Sequence, residues 1–214
     1  MSSPSNDRNI EILETVGRYY SDKIGLFGPT ARGVDWNSEE SQLLRFDQLL
    51  RVVTSDDEAV SLLDYGCGYG ALLDFLRTRS TRISYVGYDI STAMIDSARS
   101  RHRSVPDCAF TSDWSEIQPV DYAVASGIFN VKLQYADDRW RDYVEQTLDT
   151  LNSVCRRGFA FNMLSTCSDA ARRRSDLYYS DPGEMFDFCT RRFSPRLALL
   201  HDYPLFEFTL IIRK

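Results

Sequence analysis

Residues 64–70 read Asp64-Tyr65-Gly66-Cys67-Gly68-Tyr69-Gly70 and follow directly on the apolar positions Val60, Leu62 and Leu63. Three glycines at alternate positions, between a short strand and the amphipathic stretch Ala71-Leu72-Leu73-Asp74-Phe75-Leu76, describe a strand–turn–helix whose backbone lets a ligand come very close. About twenty residues on, a second apolar strand, Ile83 to Tyr88, ends on Asp89, where a carboxylate can accept both hydroxyls of a ribose. Together the two features require a parallel pair of strands with a ligand beyond their carboxyl ends.

The rest of the chain continues the alternation of strand and helix that winds helices on both faces of a parallel sheet. Ser91 caps a helix carrying Met94, Ile95 and Ala98, and a short strand follows near Cys108-Ala109-Phe110. A fourth strand, Tyr122 to Ala125, is introduced by Pro119. It precedes a long helix whose apolar face runs Trp140, Val144, Leu148, Leu151, Cys155, with Gly158 at the expected closing position. The fifth strand is read as Phe159 to Leu164. Asp181-Pro182-Gly183-Glu184 has the cap, first-turn proline and acid of a helix start, and the helix buries Met185, Phe186 and Cys189. Arg196 to Asp202 and Phe206 to Ile212 are two last strands, and the short Tyr203-Pro204-Leu205 link forces them antiparallel. Ahead of this core lie a helix around Ile10, Leu13, Val16 and Tyr20 and another from Asn37 through Leu50, joined by the long loop Gly25 to Trp36.

At 214 residues the chain is sized for one domain. A net charge of -6 leaves no broad basic field for a nucleic-acid backbone, so the arginines at 172–174 and 191–192 are read as solvated faces. The start, Met1 to Asn6, lacks the apolar core of a signal peptide and no stretch is long enough to span a bilayer, which predicts a cytoplasmic protein with no membrane partner. Five cysteines at irregular spacing form neither a zinc pair nor a disulfide framework: Cys108, Cys155 and Cys189 read as core residues and Cys67 as a small residue of the glycine turn. Only two histidines are present, His102 and His201, neither on an expected ligand-side loop, so no metal is expected.

A pyrophosphate favours G-x-G-x-x-G with no acid in the loop. Here the spacing is G-x-G-x-G, and Asp64 would repel a pyrophosphate but attract the α-amino group of a methionyl tail. From about residue 58 onward the chain resembles the class I S-adenosylmethionine-dependent methyltransferases, whose first motif is an acid followed by G-x-G-x-G and whose second is an acid ending the next strand. The resemblance implies a doubly wound, seven-stranded α/β Rossmann-like sheet, mostly parallel with an antiparallel C-terminal strand. It further implies N-terminal helices over the pocket: residues 1–57 as a helical cap, 58–214 as the S-adenosylmethionine-binding core. It also implies roles. Asp64 with Gly66, Gly68 and Gly70 would hold the methionyl end, Asp89 the ribose and Ile90 the adenine face. Asp113 would accept from the adenine amino group with Trp114 against the ring, and Ser126 would complete the cofactor set.

The segment after the fourth strand, Ser126-Gly127-Ile128-Phe129-Asn130, holds an amide where a base could sit, and Asn130 takes no proton at neutral pH. Asp35 and Asp181 are the candidate bases, each with a structural reading beside it. Tyr19-Tyr20 and Tyr178-Tyr179 offer ring faces to a sulfonium or serve packing, and Arg45 could pair with a cofactor carboxylate or lie on the surface. Three readings follow. The first is in-line methyl transfer to a small molecule, without a metal, to which the enzyme contributes mainly alignment and desolvation. The second is an azetidine-2-carboxylate synthase-like cyclisation that consumes the cofactor and releases methylthioadenosine, with Tyr178, Tyr179 and Asn130 at the reacting end. The third is a non-catalytic S-adenosylmethionine-binding regulator.

Overall fold

The structure, a computed structural model, describes residues 4–54, 59–79 and 83–214. The boundary placed between residues 57 and 58 lies outside the described residues, as do Met1 to Ser3 of the polar start. Six α-helices and eight strands follow in the order α1 (Pro4–Phe27), α2 (Glu39–Leu50), β1 (Val60–Tyr65), α3 (Ala71–Arg77), β2 (Ile83–Tyr88), α4 (Thr92–Arg101), β3 (Cys108–Thr111), β4 (Val120–Ala125), α5 (Asp137–Val154), β5 (Cys155–Ser165), β6 (Tyr179–Ser180), α6 (Pro182–Arg192), β7 (Leu197–Leu200) and β8 (Glu207–Arg213).

Among the described residues one sheet holds all eight strands, seven of them in the order β3-β2-β1-β4-β5-β8-β7 and β6 beside β5 off that path. The first five run parallel, and β8 inserts antiparallel between β5 and β7, pairing Phe161 with Leu210 and Leu199 with Leu210 on its two sides. The β7–β8 hairpin thus forms as its short link requires. An eighth strand, unforeseen in the sequence, is the two-residue β6. It pairs parallel with Leu164 and Ser165 of β5, just past the point where β4 stops.

Alternation along the strands sorts side chains into two layers. Leu63, Ala123, Phe159, Phe161, Leu210 and Ile212 face a core completed by α1, α5 and α6, including the fully buried Trp140 and Leu148. Their neighbours Leu62, Tyr122, Val124, Ala160 and Ile211 face the other way, toward α2, α3 and α4. At about 25 cal/mol per Å² of apolar surface removed from water, these two layers are the main stabilising term. Helix α1 reaches both sides of the ligand edge: Ile12 and Val16 join the first layer, while Ile24 packs with Met94 of α4.

Two local readings are corrected. Helix α5 ends at Val154, where the amide of Cys155 donates to the Leu151 carbonyl and the chain passes directly into β5, so Gly158 is a strand residue paired with Tyr122 and Arg213. The long loop after the first helix is also shorter than expected. Helix α1 runs on to Phe27, and residues Ala31–Val34 form a 3-10 turn capped by Thr30 and closed by Asp35 at φ +60°. Asp181 caps α6 by accepting from Gly183 and Glu184, as its motif predicts.

Candidate active site

The glycine turn leaves β1 and enters α3 beyond the carboxyl end of the sheet, where ligands of doubly wound folds bind. Gly66, Gly68 and Gly70 have φ of +80°, +54° and +83°. A methyl group at Gly66 would stand 2.3 Å from Ile128, and one at Gly68 would stand 3.1 Å from Val34, so both conformation and space demand glycine there. The turn is pinned from behind. Gly66 and Cys67 amides donate to the Tyr88 carbonyl, and the buried His102 ring stacks on Phe110 and reaches the Gly70 carbonyl at 3.0 Å.

In front of the turn lies a crevice whose empty space, open mouth included, is about 860 Å³. Asp64, Gly66, Gly68, Asp89, Ile90 and Ser126 all line it, and Leu13, Val16 and Tyr20 of α1 close it from above. Gly70 lies at the helix end of the turn, against His102. Asp89 is fixed by two backbone donors, Gly68 to one oxygen and Ser91 to the other, each at 2.9 Å, which leaves further lone pairs facing the crevice. Burial raises its pKa to about 6. Asp64 accepts from the Tyr85 hydroxyl at 2.7 Å, and burial raises its pKa to about 7. The Ser126 hydroxyl is buried without a hydrogen-bond partner among the described residues, an unmet polar group in the crevice wall.

Other expected residues lie elsewhere. Asp113 is exposed, does not line the crevice, and accepts from the amide and hydroxyl of Ser115 with one carboxylate oxygen. Trp114 packs edge-on against Tyr65 and Tyr88, behind rather than in the crevice. Arg45 makes a two-pronged, buried ion pair with Glu207, whose other bond is from the Asn162 amide at 2.6 Å. Asn162 in turn accepts from the Gly127 amide at 2.7 Å, and the Arg45 guanidinium lies 3.9 Å over the Trp36 ring that covers Gly127. This closed circuit sets the shape of the loop after β4. Sequence reading missed Asn162, Glu207 and Trp36, although a lone acid opening the apolar run of β8 already demanded a buried partner.

A second chamber of about 1620 Å³, mouth included, opens beside the first and shares Tyr20, Val34, Trp36 and Gly127 with it. Asn130 and Tyr179 line this second chamber, whereas Tyr178 is buried in the α5-side core. The two tyrosines, adjacent in sequence, therefore do not share one ligand-facing surface. The Asn130 side-chain oxygen accepts from the Leu164 amide at 3.1 Å, which fixes the amide to β5. Asp35 also lines the chamber, with Lys23 on one oxygen at 2.6 Å and the Tyr19 hydroxyl on the other. Burial and the Asp35 bond raise the Tyr19 pKa, and the same carboxylate raises that of Lys23, so both donors keep their protons. Asp181 is an exposed helix cap and His201 is exposed; neither they nor His102 line either chamber. Among the described residues, no three His, Cys, Asp or Glu side chains are grouped as a metal ion would need, and no helix is long and apolar enough to cross a membrane.

This geometry accords with the known proteins that the chain resembles. Residues 63–158 match the family model described as a methyltransferase domain. A Mycobacterium tuberculosis (strain ATCC 25618 / H37Rv) protein named as a methyltransferase, Rv1506c, is 47% identical over 165 residues, covering 77% of this chain and 99% of that protein. The chain belongs to the class I S-adenosylmethionine-dependent methyltransferases. Solved methyltransferase structures share the fold at low identity. Magnesium protoporphyrin IX methyltransferase (ChlM) from Synechocystis PCC 6803 with bound SAH aligns at a TM-score of 0.60 and 13% identity, over 82% of this chain and 84% of that one. The DhpI–SAH complex aligns at 0.62 and 15%, over 94% and 97%. In this methyltransferase, the acid-flanked glycine turn and Asp89 border one crevice at the carboxyl end of the sheet.

Proposed function

We propose that this methyltransferase transfers a methyl group in line to a small molecule held in the second chamber, without a metal. The observation that carries this reading is the shared wall: Tyr20, Val34, Trp36 and Gly127 border both the glycine-turn crevice and the chamber beside it. The residues present fit S-adenosylmethionine, which supplies an electrophilic methyl group when bound. Asp89 would accept ribose hydroxyls with the lone pairs its backbone donors leave free. Asp64 would face an α-ammonium, whose charge favours the ionised carboxylate. Ser126 would find the partner it lacks, Ile90 would cover the adenine, and the tyrosine faces of the crevice, Tyr20 and Tyr143 among them, suit a sulfonium.

The chain's own contribution to the reaction is then alignment and exclusion of water. The Trp36 ring and the Arg45–Glu207–Asn162 circuit hold the Gly127 backbone at the junction of the two chambers. The two oxygens of Asp35 are already engaged by Lys23 and Tyr19, so the site suits an acceptor whose nucleophile needs no strong base. The test is to incubate the protein with S-adenosylmethionine, with and without a small-metabolite extract, and to identify the nucleoside released. S-adenosylhomocysteine that forms only with the extract supports transfer. Methylthioadenosine formed without any acceptor would displace it in favour of cyclisation.

A further inference from the structure

We infer that the acceptor carries an anionic group, a carboxylate or phosphate, recognised by an arginine-lined mouth of the second chamber. The inference rests on the reading of that chamber as the acceptor site.

The chamber is cationic in a chain that is not. The protein's net charge is -6, yet Lys23, Arg32, Arg45, Arg172 and Arg174 line this space against only Asp35 and Glu207. Both acids are spoken for, since Asp35 pairs with Lys23 and Glu207 with the buried Arg45. That leaves three guanidinium groups. Arg32, on the 3-10 turn after α1, stacks 4.6 Å over Phe27 and has no carboxylate partner among the described residues. Arg172, on the segment between β5 and β6, has Asp169 as its carboxylate partner among the described residues, at 3.8 Å. Arg174 is held in a two-pronged ion pair by Asp176, just outside the chamber wall, and adds little net charge.

Two separate stretches of chain therefore bring positive charge to one cavity mouth, without a carboxylate partner among the described residues at Arg32 and only loosely paired at the exposed Arg172. A planar guanidinium offers paired donors that match a carboxylate or phosphate, so the residue type fits the ligand chemistry. An electropositive opening on an acidic protein also attracts an anion selectively and speeds its capture. The walls next to these arginines are aromatic, with Phe27, Tyr179 and Phe206 among them, which suits an acid with an apolar or ring-bearing body.

The experiment titrates benzoate, phenyl phosphate and neutral benzamide into the full-length protein, both free and saturated with S-adenosylhomocysteine, and repeats this with Arg32→Gln, Arg172→Gln and the exposed α6 control Arg191→Gln. The expected result is that at least one anion binds about tenfold more tightly than benzamide, benzoate pointing to a carboxylate and phenyl phosphate to a phosphate. Arg32→Gln and Arg172→Gln should each weaken it about fivefold, the upper end for a partly exposed ion pair, with Arg191→Gln and the affinity for S-adenosylhomocysteine unchanged. Benzamide binding as well as the anions, or anion affinity indifferent to both chamber variants, overturns the inference. Failure to bind S-adenosylhomocysteine would sink the cofactor reading instead, and the titration of the free protein would still decide the anion question.

Discussion

Replacing Asp64 by Asn should stabilise the ligand-free protein, and by an amount that grows with pH. Asp64 is 2% exposed, and burial raises its pKa from 3.8 to about 7. The folded state thus holds the proton more tightly than the unfolded chain, and between those two values the folded protein loses stability as pH rises. Each pH unit in that window is worth about 1.4 kcal/mol, so the ionised carboxylate opposes folding by about 4 kcal/mol at alkaline pH. Asn has the same shape and can still accept from the Tyr85 hydroxyl, but carries no charge to desolvate. Urea unfolding of both proteins at about pH 5 and about pH 8 reads the difference directly. The stability advantage of Asp64→Asn should widen by about 2–3 kcal/mol between the two. A pH-independent gap, or a variant weaker at pH 8 than at pH 5 relative to its parent, would refute the assignment of Asp64 as a buried carboxylate kept for its charge rather than its packing.

Three further outcomes are expected. Asp89→Ala should weaken S-adenosylhomocysteine binding by about 1–3 kcal/mol in calorimetry, and the parent's affinity should decline as pH falls through about 6, where Asp89 takes up a proton. Glu207→Gln leaves the Arg45 charge buried and unpaired and should lower stability by about 3–5 kcal/mol in denaturant titration, whereas the double change Arg45→Met with Glu207→Leu should be less damaging than the single one. At Gly127, φ is +72° and a methyl group would stand 2.1 Å from the Trp36 ring, so Gly127→Ala should displace that ring, detected as a change in Trp fluorescence, and lower turnover more than cofactor affinity.

That the acid-flanked glycine turn and Asp89 would meet at one crevice was legible because the arrangement is local. Asp64, the glycines and Asp89 sit within 26 consecutive residues, and each residue type follows from a backbone angle, a close approach or a hydrogen-bonding need. The C-terminal hairpin was legible for the same reason, through alternation and a short link. The polar circuit was not, since it joins Arg45 to Glu207 across 162 residues and only the fold brings them together. Asp113 shows what motif position leaves out: a short acid beside Ser115 engages one oxygen in its own turn and stays exposed, away from the crevice lining. Tyr178 and Tyr179 show another limit, because the first packs into the core and only the second lines the chamber, a division that adjacency in sequence does not reveal. Gly158 was misread because the polar Arg156 and Arg157 mark the start of β5, not the end of a helix.

A crystal structure of the protein with S-adenosylhomocysteine tests the central claim most directly. The account predicts the nucleoside against Gly66 to Gly70, its ribose hydroxyls on Asp89, a hydrogen bond to the now unpartnered Ser126 hydroxyl, and an open path past Tyr20 and Trp36 into the second chamber. A nucleoside bound elsewhere, or a crevice filled by the Tyr20 side chain with the ligand excluded, would contradict it.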